Sequence, residues 1–288
     1  MPFDPSTRPD SASLADGAGE PRRAEDRLDA GRLAELHALL DRPGPAPAEG
    51  APLPPLWHAP FFRRPLRPEE QGEDGAPLPD GLPPETGLPL RRRGGGRIEF
   101  LAPLPVGAEA VRRSVLQNVA LKQGGPAPVA VATLRHEIAG PGGVAIREEA
   151  DILFRPRPEP GAPPRPRAPL RDERPAFSRQ IAPDAVSALR FAALAGDLHR
   201  IHWDVAWARE VEGEPGALVP SGWLMLQLAE LLRENSRRRL ARLEWRVAAS
   251  LPVGETARLC GRTLGRGAEL WAVDAEDRLL LEARGALD

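Results

Sequence analysis

The tetrapeptide Leu-Pro-Val-Gly occurs twice in the 288-residue chain, at residues 104–107 and again at residues 251–254. Each copy forms a predicted turn before a predicted strand, and two more predicted strands follow it in each half of the chain. A pattern that recurs in this way indicates an internally duplicated unit. The repeat therefore predicts an α+β fold in which two antiparallel sheets each wrap around a central helix.

The second half contains a clear candidate for a central helix, whereas the first half does not. Residues 220–232 are apolar nearly all the way round a helix, which predicts burial on every side, and Ser221 is the predicted N-cap. The first half has instead a long Pro- and Gly-rich passage with one apolar island at residues 53–62. We therefore expect the first copy to be degenerate, with Trp57 and His58 in the place of the helix.

A Pro- and Arg-rich segment divides the chain into two parts. It has too little apolar surface for a packed core, and its prolines favour the extended backbone of a semi-rigid linker. The first residues are small, polar and Pro-rich, which is typical of a disordered terminus. The predicted organisation is a disordered N-terminus at 1–26, a degenerate first domain at 27–154, a linker at 155–175 and a second domain with the active site at 176–288.

Composition argues against several classes of function. The formal net charge of −2 gives no support to nucleic-acid or membrane-surface binding. The single cysteine, Cys260, excludes an internal disulfide and a Cys-rich zinc site, and no metal centre is predicted. The chain shows neither a signal-peptide pattern nor an apolar run of about 18–20 residues, so we expect a cytoplasmic protein with no membrane partner.

Three groups suited to proton transfer stand together after a predicted helix that begins at Pro183 and ends at Gly196. The residues of that helix expected to turn inward are Val186, Leu189, Ala193 and Leu194. Asp197, His199 and His202 follow within six consecutive residues, and a carboxylate with an imidazole can hold one water for acid–base chemistry near neutral pH. Gly222, in the first turn of the buried helix, offers a free backbone N–H that could stabilise the enolate oxygen of a thioester.

Residues 191–204, FAALAGDLHRIHWD, resemble the active-site segment of the MaoC-like, (R)-specific enoyl-CoA hydratases. In that family an aromatic residue, small residues, Gly and Asp precede x-Asn-Pro-x-His, and another Asp follows. Asp197 matches the catalytic aspartate of the family and His202 its catalytic histidine. His199 stands where the family usually has asparagine, and Arg200 stands at the position of the proline.

The first half extends the resemblance, so that it covers roughly residues 27–288. The His-Arg-Ile-His variant, together with the segments APLPPLWHAPFF, GGGRIEF and RHEI, is similar to the double-hot-dog branch of the family. That branch includes mesaconyl-C4-CoA (3-methylfumaryl-CoA) hydratases and mitochondrial hydroxyacyl-thioester dehydratases. The resemblance implies a double-hot-dog fold and a cofactor-free hydro-lyase that hydrates an enoyl-CoA to a 3-hydroxyacyl-CoA, most like mesaconyl-C4-CoA hydratase, in a possible homodimer.

The resemblance also implies roles for individual residues. Asp197 and His202 would hold the water, with the identity of the base left open, and the N–H of Gly222 would polarise the thioester carbonyl. The candidates for substrate binding are His199, Arg200, Ser221 and Trp223, with Arg200 as the partner of a free acyl carboxylate. The family commonly has His-Gly at the start of the buried helix, so Ser221 bears on the choice of substrate.

Two other functions stay open on the sequence. A hot-dog thioesterase would use a similar fold but release free CoA. A non-catalytic acyl-CoA-binding or partner subunit would bind the thioester without turnover, and the irregular first half is compatible with it.

Overall fold

Ten strands form one continuous antiparallel sheet in a computed structural model of the chain, which describes residues 21–78, 85–122, 127–159 and 167–288. Each half contributes one short leading strand, a helix after it and four longer strands. The first half contains β1 (Arg22–Arg27), α1 (Ala30–Leu39), β2 (Leu90–Phe100), β3 (Glu109–Lys122), β4 (Val129–Gly140) and β5 (Gly143–Arg155). The second half contains β6 (Phe177–Ile181), α2 (Ala185–Ala195), α3 (Val205–Glu210), α4 (Ser221–Asn235), β7 (Leu240–Val247), β8 (Ala257–Leu264), β9 (Gly267–Val273) and β10 (Leu279–Leu287).

The strand order repeats in the two halves. It is β1-β3-β4-β5-β2 in the first half and, counted inward from the other edge, β6-β8-β9-β10-β7 in the second half. The two inner strands, β2 and β7, pair with each other, so the two predicted sheets are joined into one. The predicted duplicated α+β fold is therefore confirmed, and the seam between the copies lies at the middle of the sheet.

The triple glycine of β2 permits this seam. Gly95 pairs with Arg246 and Gly96 with Trp245 across β2 and β7, beside a break in the register of β2 with β5. A Cβ atom on Gly96 would collide with the carbonyl oxygen of Glu149 and with the indole ring of Trp245. The strands can approach this closely only where β2 carries no side chain.

We predict that Gly96→Ala weakens the seam. The added methyl group has no space, so we expect the free energy of unfolding to fall by about 1–3 kcal/mol, as in other overpacked sites. Denaturant unfolding of the wild type and the variant measures the change. Gly142→Ala is the matched control, since no atom lies within 4 Å of the Cβ that it would add. Equal stability of the two variants would contradict the prediction.

The central helix α4 is buried over its middle, as predicted. Its ten consecutive residues from Trp223 to Leu232 are buried, and the helix packs against β6, β8, β9 and β10. In the first half, the apolar island forms turns instead of a helix, with Trp57 and Phe61 almost fully buried. Trp57 donates a 2.8 Å hydrogen bond from Nε1 to Oε1 of Glu230 on α4. The island therefore packs against the second half.

Two predicted boundaries need correction. The N-terminus predicted as disordered includes residues 22–26, but these form β1, which pairs antiparallel with β3. Residues 1–20 lie outside the described residues. In the predicted linker, Arg155 ends β5, and Leu170 forms a bridge with Arg278 beside β10, so part of this segment is held on the second half. Residues 160–166 are not among those described.

Two local predictions about helices are also wrong. The N-cap of α4 is Pro220, and Ser221 is the first helical residue, because the turn begins one position earlier than the hydroxyl suggests. Of the four residues of α2 predicted to face inward, Val186, Leu189 and Ala193 are exposed, and Leu194 packs against the core. Ala188 and Phe191 are buried instead. The helix carries small and large apolar side chains on all of its sides, so the sequence does not identify its inner face.

Candidate active site

The candidate active site begins where α2 ends. Gly196 adopts the left-handed conformation, with a φ of 69°, and ends the helix as the sequence predicts. The N–H of Asp197 then donates a 2.8 Å hydrogen bond to the carbonyl of Ala192. This cap directs the chain out of the helix, so that Asp197 reaches the cavity between the two halves.

The geometry of His202 defines its neutral tautomer. Its Nδ1 lies 2.8 Å from the carbonyl oxygen of Leu218, and a carbonyl oxygen can only accept, so Nδ1 carries the proton. The lone pair is then on Nε2, which lies 3.7 Å from Oδ2 of Asp197. The two groups are close enough to share one water but too far apart for a short direct hydrogen bond.

Asp197 is ionised in this environment. Burial by itself would raise the pKa of its carboxyl group, but the imidazole of His202 and the guanidinium of Arg93 together bring that pKa well below the ordinary value. Nε of Arg93 lies 3.9 Å from Oδ2 of Asp197. An ionised carboxylate thus lies beside Nε2 of His202, where the two groups can contact the same water.

The start of α4 lies in the wall of the same cavity. Pro220 has no side chain that can cap the helix, and Gly222 follows in its first turn. A Cβ on Gly222 would make only ordinary contact with Phe191. Packing within the chain therefore does not demand glycine here, whereas an absent side chain leaves the backbone N–H accessible to a ligand.

The cavity has two arms that meet at Asp197. The shared wall is formed by Arg93, His136, Ala150, Asp197, Ser221 and Trp245. One arm has a volume of about 320 Å³, and His199 and His202 line part of it. We call it the apolar arm because most of the rest of its wall is apolar: Leu134, Ile152, Leu218, Val219, Leu224 and Leu251. The other, of about 150 Å³, we call the charged arm, and it is lined by His58, Arg112, Glu148, Phe191, Gly222 and Met225.

His199 lies in the wall of the apolar arm, where its imidazole is held from both sides. Its Nδ1 accepts a 3.2 Å hydrogen bond from the N–H of Ile201, so Nε2 carries the proton of the neutral ring. Nε2 lies 3.3 Å from Oδ2 of Asp74 and 3.6 Å from Oε1 of Glu212. Burial would raise the pKa of Asp74, but His199 and Arg91 lower it far below its usual value. These contacts position the loop that carries His202.

Two of the sequence candidates do not line either arm. The guanidinium of Arg200 lies 2.6 Å from Oδ2 of Asp204 and stacks over the ring of Trp207 at 4.3 Å. Trp223 is buried and stacks on Phe191, with ring centroids 6.0 Å apart. The structure thus brings together Asp197, His202, His199, Ser221 and Gly222, and leaves Arg200 and Trp223 outside the cavity wall.

Sequence reasoning missed the contribution of the first half. The run Arg91–Arg93 reads as a solvated surface, but Arg91 pairs with Asp74 at 2.7 Å and Arg92 with Glu212 at 2.6 Å, while Arg93 faces Asp197. The side chains of the charged arm on β3, β4 and β5 were also missed. The sequence did contain a signal for them. Each of these strands has a polar residue on its inner face, at a position where the alternating pattern predicts an apolar one.

His136 should make stability depend on pH. Burial lowers the pKa of His136 from 6.5 to about 4, so the unfolded chain takes up a proton before the folded chain does as the pH falls. The free energy of unfolding is therefore unaffected by this group above pH 6.5 and falls by about 3 kcal/mol as the pH decreases from 6.5 to 4. We predict that His136→Gln removes this part of the acid sensitivity. Unfolding curves at neutral pH and near pH 4 measure it, and identical losses in both proteins would contradict the prediction.

The described residues lack both a metal-binding cluster and a membrane-spanning helix. They contain no group of three His, Cys, Asp or Glu side chains placed to hold a metal ion. In the same residues, no helix has the length and apolar character needed to span a membrane.

Comparisons with known proteins agree with the sequence resemblance. The family model described as hydroxyacyl-thioester dehydratase type 2 matches residues 56–253. The mesaconyl-C4-CoA hydratase of Chloroflexus aurantiacus is 35% identical over 273 residues, which cover 93% of this chain and 91% of that protein. The match to the relative spans both halves of the sheet.

Solved structures show the same fold. A MaoC-like dehydratase from Phytophthora capsici has a TM-score of 0.66 at 15% identity, covering 93% of this chain and 95% of its own. HtdX of Mycobacterium tuberculosis has a TM-score of 0.64 at 18% identity, covering 92% and 99%. A further M. tuberculosis protein described as a double hot-dog fold has a TM-score of 0.56 at 14% identity, covering 94% and 97%. The predicted double-hot-dog fold is confirmed.

Proposed function

Since this chain belongs to the hydroxyacyl-thioester dehydratase type 2 family and is a hydratase, we propose that it reversibly hydrates an α,β-unsaturated acyl-CoA that carries a free carboxylate. The observation that carries the proposal is the pair formed by Asp197 and His202, with 3.7 Å between Oδ2 and Nε2 where two cavity arms meet. An acid–base pair at such a junction can act on the middle of an extended substrate.

Asp197 and His202 hold the attacking water in this mechanism. The lone pair on His202 Nε2 takes a proton from the water, while the Asp197 carboxylate orients the water and stabilises the imidazolium that forms. The hydroxide adds to the β-carbon of the thioester, and the imidazolium returns the proton to the α-carbon. The Asp197 carboxylate is a weak base, because its pKa is held well below the ordinary value.

Gly222 supports the same step from the other side. Addition at the β-carbon moves negative charge onto the thioester oxygen, which becomes an enolate. The backbone N–H of Gly222 lies at the positive end of α4, where a developing anion is stabilised. Ser221, the first helical residue, lines both arms beside it and is a further candidate for substrate contact.

The dicarboxylate substrate is proposed on two grounds. The relative from Chloroflexus aurantiacus is named for mesaconyl-C4-CoA, a thioester with a methyl branch and a free carboxylate. In the first half, turns around Trp57 stand where the second half has a long helix, which leaves space for a branched acyl group. No cofactor is required for this reaction, and a cytoplasmic homodimer stays a prediction.

An assay of purified protein tests the proposal. We expect loss of the enoyl-thioester absorbance with mesaconyl-C4-CoA and no release of free thiol. With crotonyl-CoA we expect kcat/KM to be lower by about tenfold or more. Equimolar free thiol would indicate a thioesterase, and binding of both thioesters without any change in absorbance would indicate a non-catalytic subunit. Either result would overturn the proposed function.

A further inference from the structure

The charged arm is a polar surface on a face of the sheet where the fold usually places apolar side chains. Ser114 on β3 pairs with His136 on β4, and His136 pairs with Glu148 on β5, so one row of polar residues crosses three strands. Arg112 lies two residues before Ser114 and so faces the same side. Buried polar groups are costly unless they are satisfied, which makes this row a candidate for ligand binding.

Arg112 has an incomplete set of partners within the chain. Its Nη2 donates a 3.0 Å hydrogen bond to the carbonyl oxygen of Phe62, and its guanidinium lies 5.4 Å from the centroid of that ring. Its Nε is buried and has no acceptor in the part of the chain that the structure describes. Within those residues no carboxylate oxygen lies within 4.0 Å of the guanidinium nitrogens. A half-buried guanidinium with an unpaired, buried Nε can bind an anionic ligand.

Other charged groups of the cavity are paired more closely. Glu148 in the same arm lies within hydrogen-bond distance of His58, with 3.2 Å between Oε2 and Nε2. Arg91 and Arg92, which line the apolar arm, form ion pairs with Asp74 and Glu212, respectively. Arg93 is different, because its only close carboxylate in the described chain is Asp197 at 3.9 Å, and its side chain is 56% exposed.

The chemistry of a C4 thioester such as mesaconyl-C4-CoA requires a cation at this place. The carbon that takes the hydroxyl group also carries the free carboxylate, so the carboxylate must lie beside the water held by Asp197. The substrate carboxylate and the carboxylate of Asp197 then repel each other unless a positive charge lies between or beside them. Arg93 lies at the junction of the arms, and Arg112 lies further along the charged arm.

We propose that Arg112 and Arg93 form the subsite that binds the free carboxylate of the acyl group, so that the first half selects the substrate for the catalytic loop of the second. The proposal rests on the proposed hydratase function. It gives this role to residues of the charged arm in place of Arg200, which is paired with Asp204 outside the cavity. The apolar arm then takes the remainder of the thioester.

A comparison of two substrates that differ in a single substituent tests the subsite. Mesaconyl-C4-CoA and 3-methylcrotonyl-CoA differ only by the replacement of the carboxylate with a methyl group. We take the ratio of kcat/KM for mesaconyl-C4-CoA to kcat/KM for 3-methylcrotonyl-CoA. In Arg112→Gln we expect this ratio to fall about 10- to 100-fold. Arg113→Gln is the matched control, since its side chain is exposed on the opposite face of β3, and it should keep the ratio of the wild type.

Binding of saturated thioesters separates recognition from catalysis. Succinyl-CoA carries the carboxylate and butyryl-CoA does not, and neither can be hydrated. We expect the wild type to bind succinyl-CoA more tightly by calorimetry, and both Arg112→Gln and Arg93→Gln to lose this preference. The partly exposed Arg93 gives a second variant if Arg112→Gln does not fold.

The possible outcomes distinguish the two proposals. A wild type that hydrates thioesters but shows an unchanged ratio and unchanged binding preference in both variants would overturn the subsite and leave the hydratase function standing. A wild type that prefers succinyl-CoA but hydrates neither enoyl-thioester would overturn the proposed function while supporting the subsite. An equal loss on both substrates in the variants would show a structural role for the arginines and would also overturn the subsite.

Discussion

Replacement of Asp197 by Asn or of His202 by Ala is expected to lower kcat about 10²- to 10⁴-fold with the dicarboxylate thioester. Asn keeps the shape of the side chain but cannot hold the charge that stabilises the imidazolium. Ala removes the Nε2 lone pair that lies 3.7 Å from Asp197. The initial rate of loss of enoyl-thioester absorbance, measured at saturating substrate, gives kcat for each protein.

The double variant adds a sharper test. If both groups act on one water, removal of the second after the first should cost little more, so the effects should be far from multiplicative. Asp172→Asn is the control, because that carboxylate is exposed in the second half of the chain. Less than a tenfold loss in either single variant, with the fold intact, would exclude Asp197 or His202 from the chemical step.

Replacement of Glu212 by Ala is expected to lower the free energy of unfolding by about 3–5 kcal/mol. Glu212 is fully buried, and its two oxygens lie 2.6 Å from Nη2 of Arg92 and 3.1 Å from Nε1 of Trp207. Its loss leaves the indole N–H of Trp207 without its acceptor, leaves Nη2 of Arg92 with the longer 3.4 Å contact to the carboxylate of Glu214, and removes a neighbour of His199. Chemical denaturation of the wild type and the variant under the same conditions measures the change in the free energy of unfolding.

Glu210→Ala is the matched control for this variant. Glu210 lies two residues earlier, at the end of α3, and is exposed, so its removal should change the stability by less than about 0.5 kcal/mol. The Glu212 variant should also lose activity at temperatures where it stays folded, because Glu212 supports the loop through His199. A change in stability as small as that of the control would contradict the prediction.

The local parts of the candidate site could be predicted from the sequence. Asp197 and His202 lie within six residues, and Gly196 ends the preceding helix, so they are neighbours in almost any fold that keeps this loop. The apolar stretch of α4 likewise predicts a buried helix without knowledge of its partners. Short-range geometry of this kind depends on few dihedral angles, and the residue types report it directly.

The partners of charged residues could not be predicted. The segment around Glu212 looks like a solvated loop, and its burial depends on Arg92, which is 120 residues away along the chain. The arginine run on β2 looks exposed for the same reason, because its carboxylate partners belong to other elements. No periodicity encodes such a pair, since the pairing arises only when the two halves meet.

The charged arm and the failure of Arg200 as a candidate illustrate the same limit. Arg200 stands beside the catalytic residues in sequence, but the side chain turns toward Asp204 one helical turn later. Arg112 is 85 positions before Asp197 and lines the same cavity. Nearness along the chain suggested the wrong arginine, whereas the topology of the sheet brings the distant one to the site.

The seam between β2 and β7 allows the two copies to differ. In a symmetric pair of identical chains every substitution is made twice, so a new charge in one subunit also appears in the other. Here both copies are one polypeptide, and β2 carries Gly95 and Gly96 at the seam while β7 carries Trp245 opposite Gly96. One copy carries the central helix and the acid–base loop, and the other carries arginines that line the cavity. Dilution cannot separate these specialised halves, so the asymmetric site persists at any protein concentration.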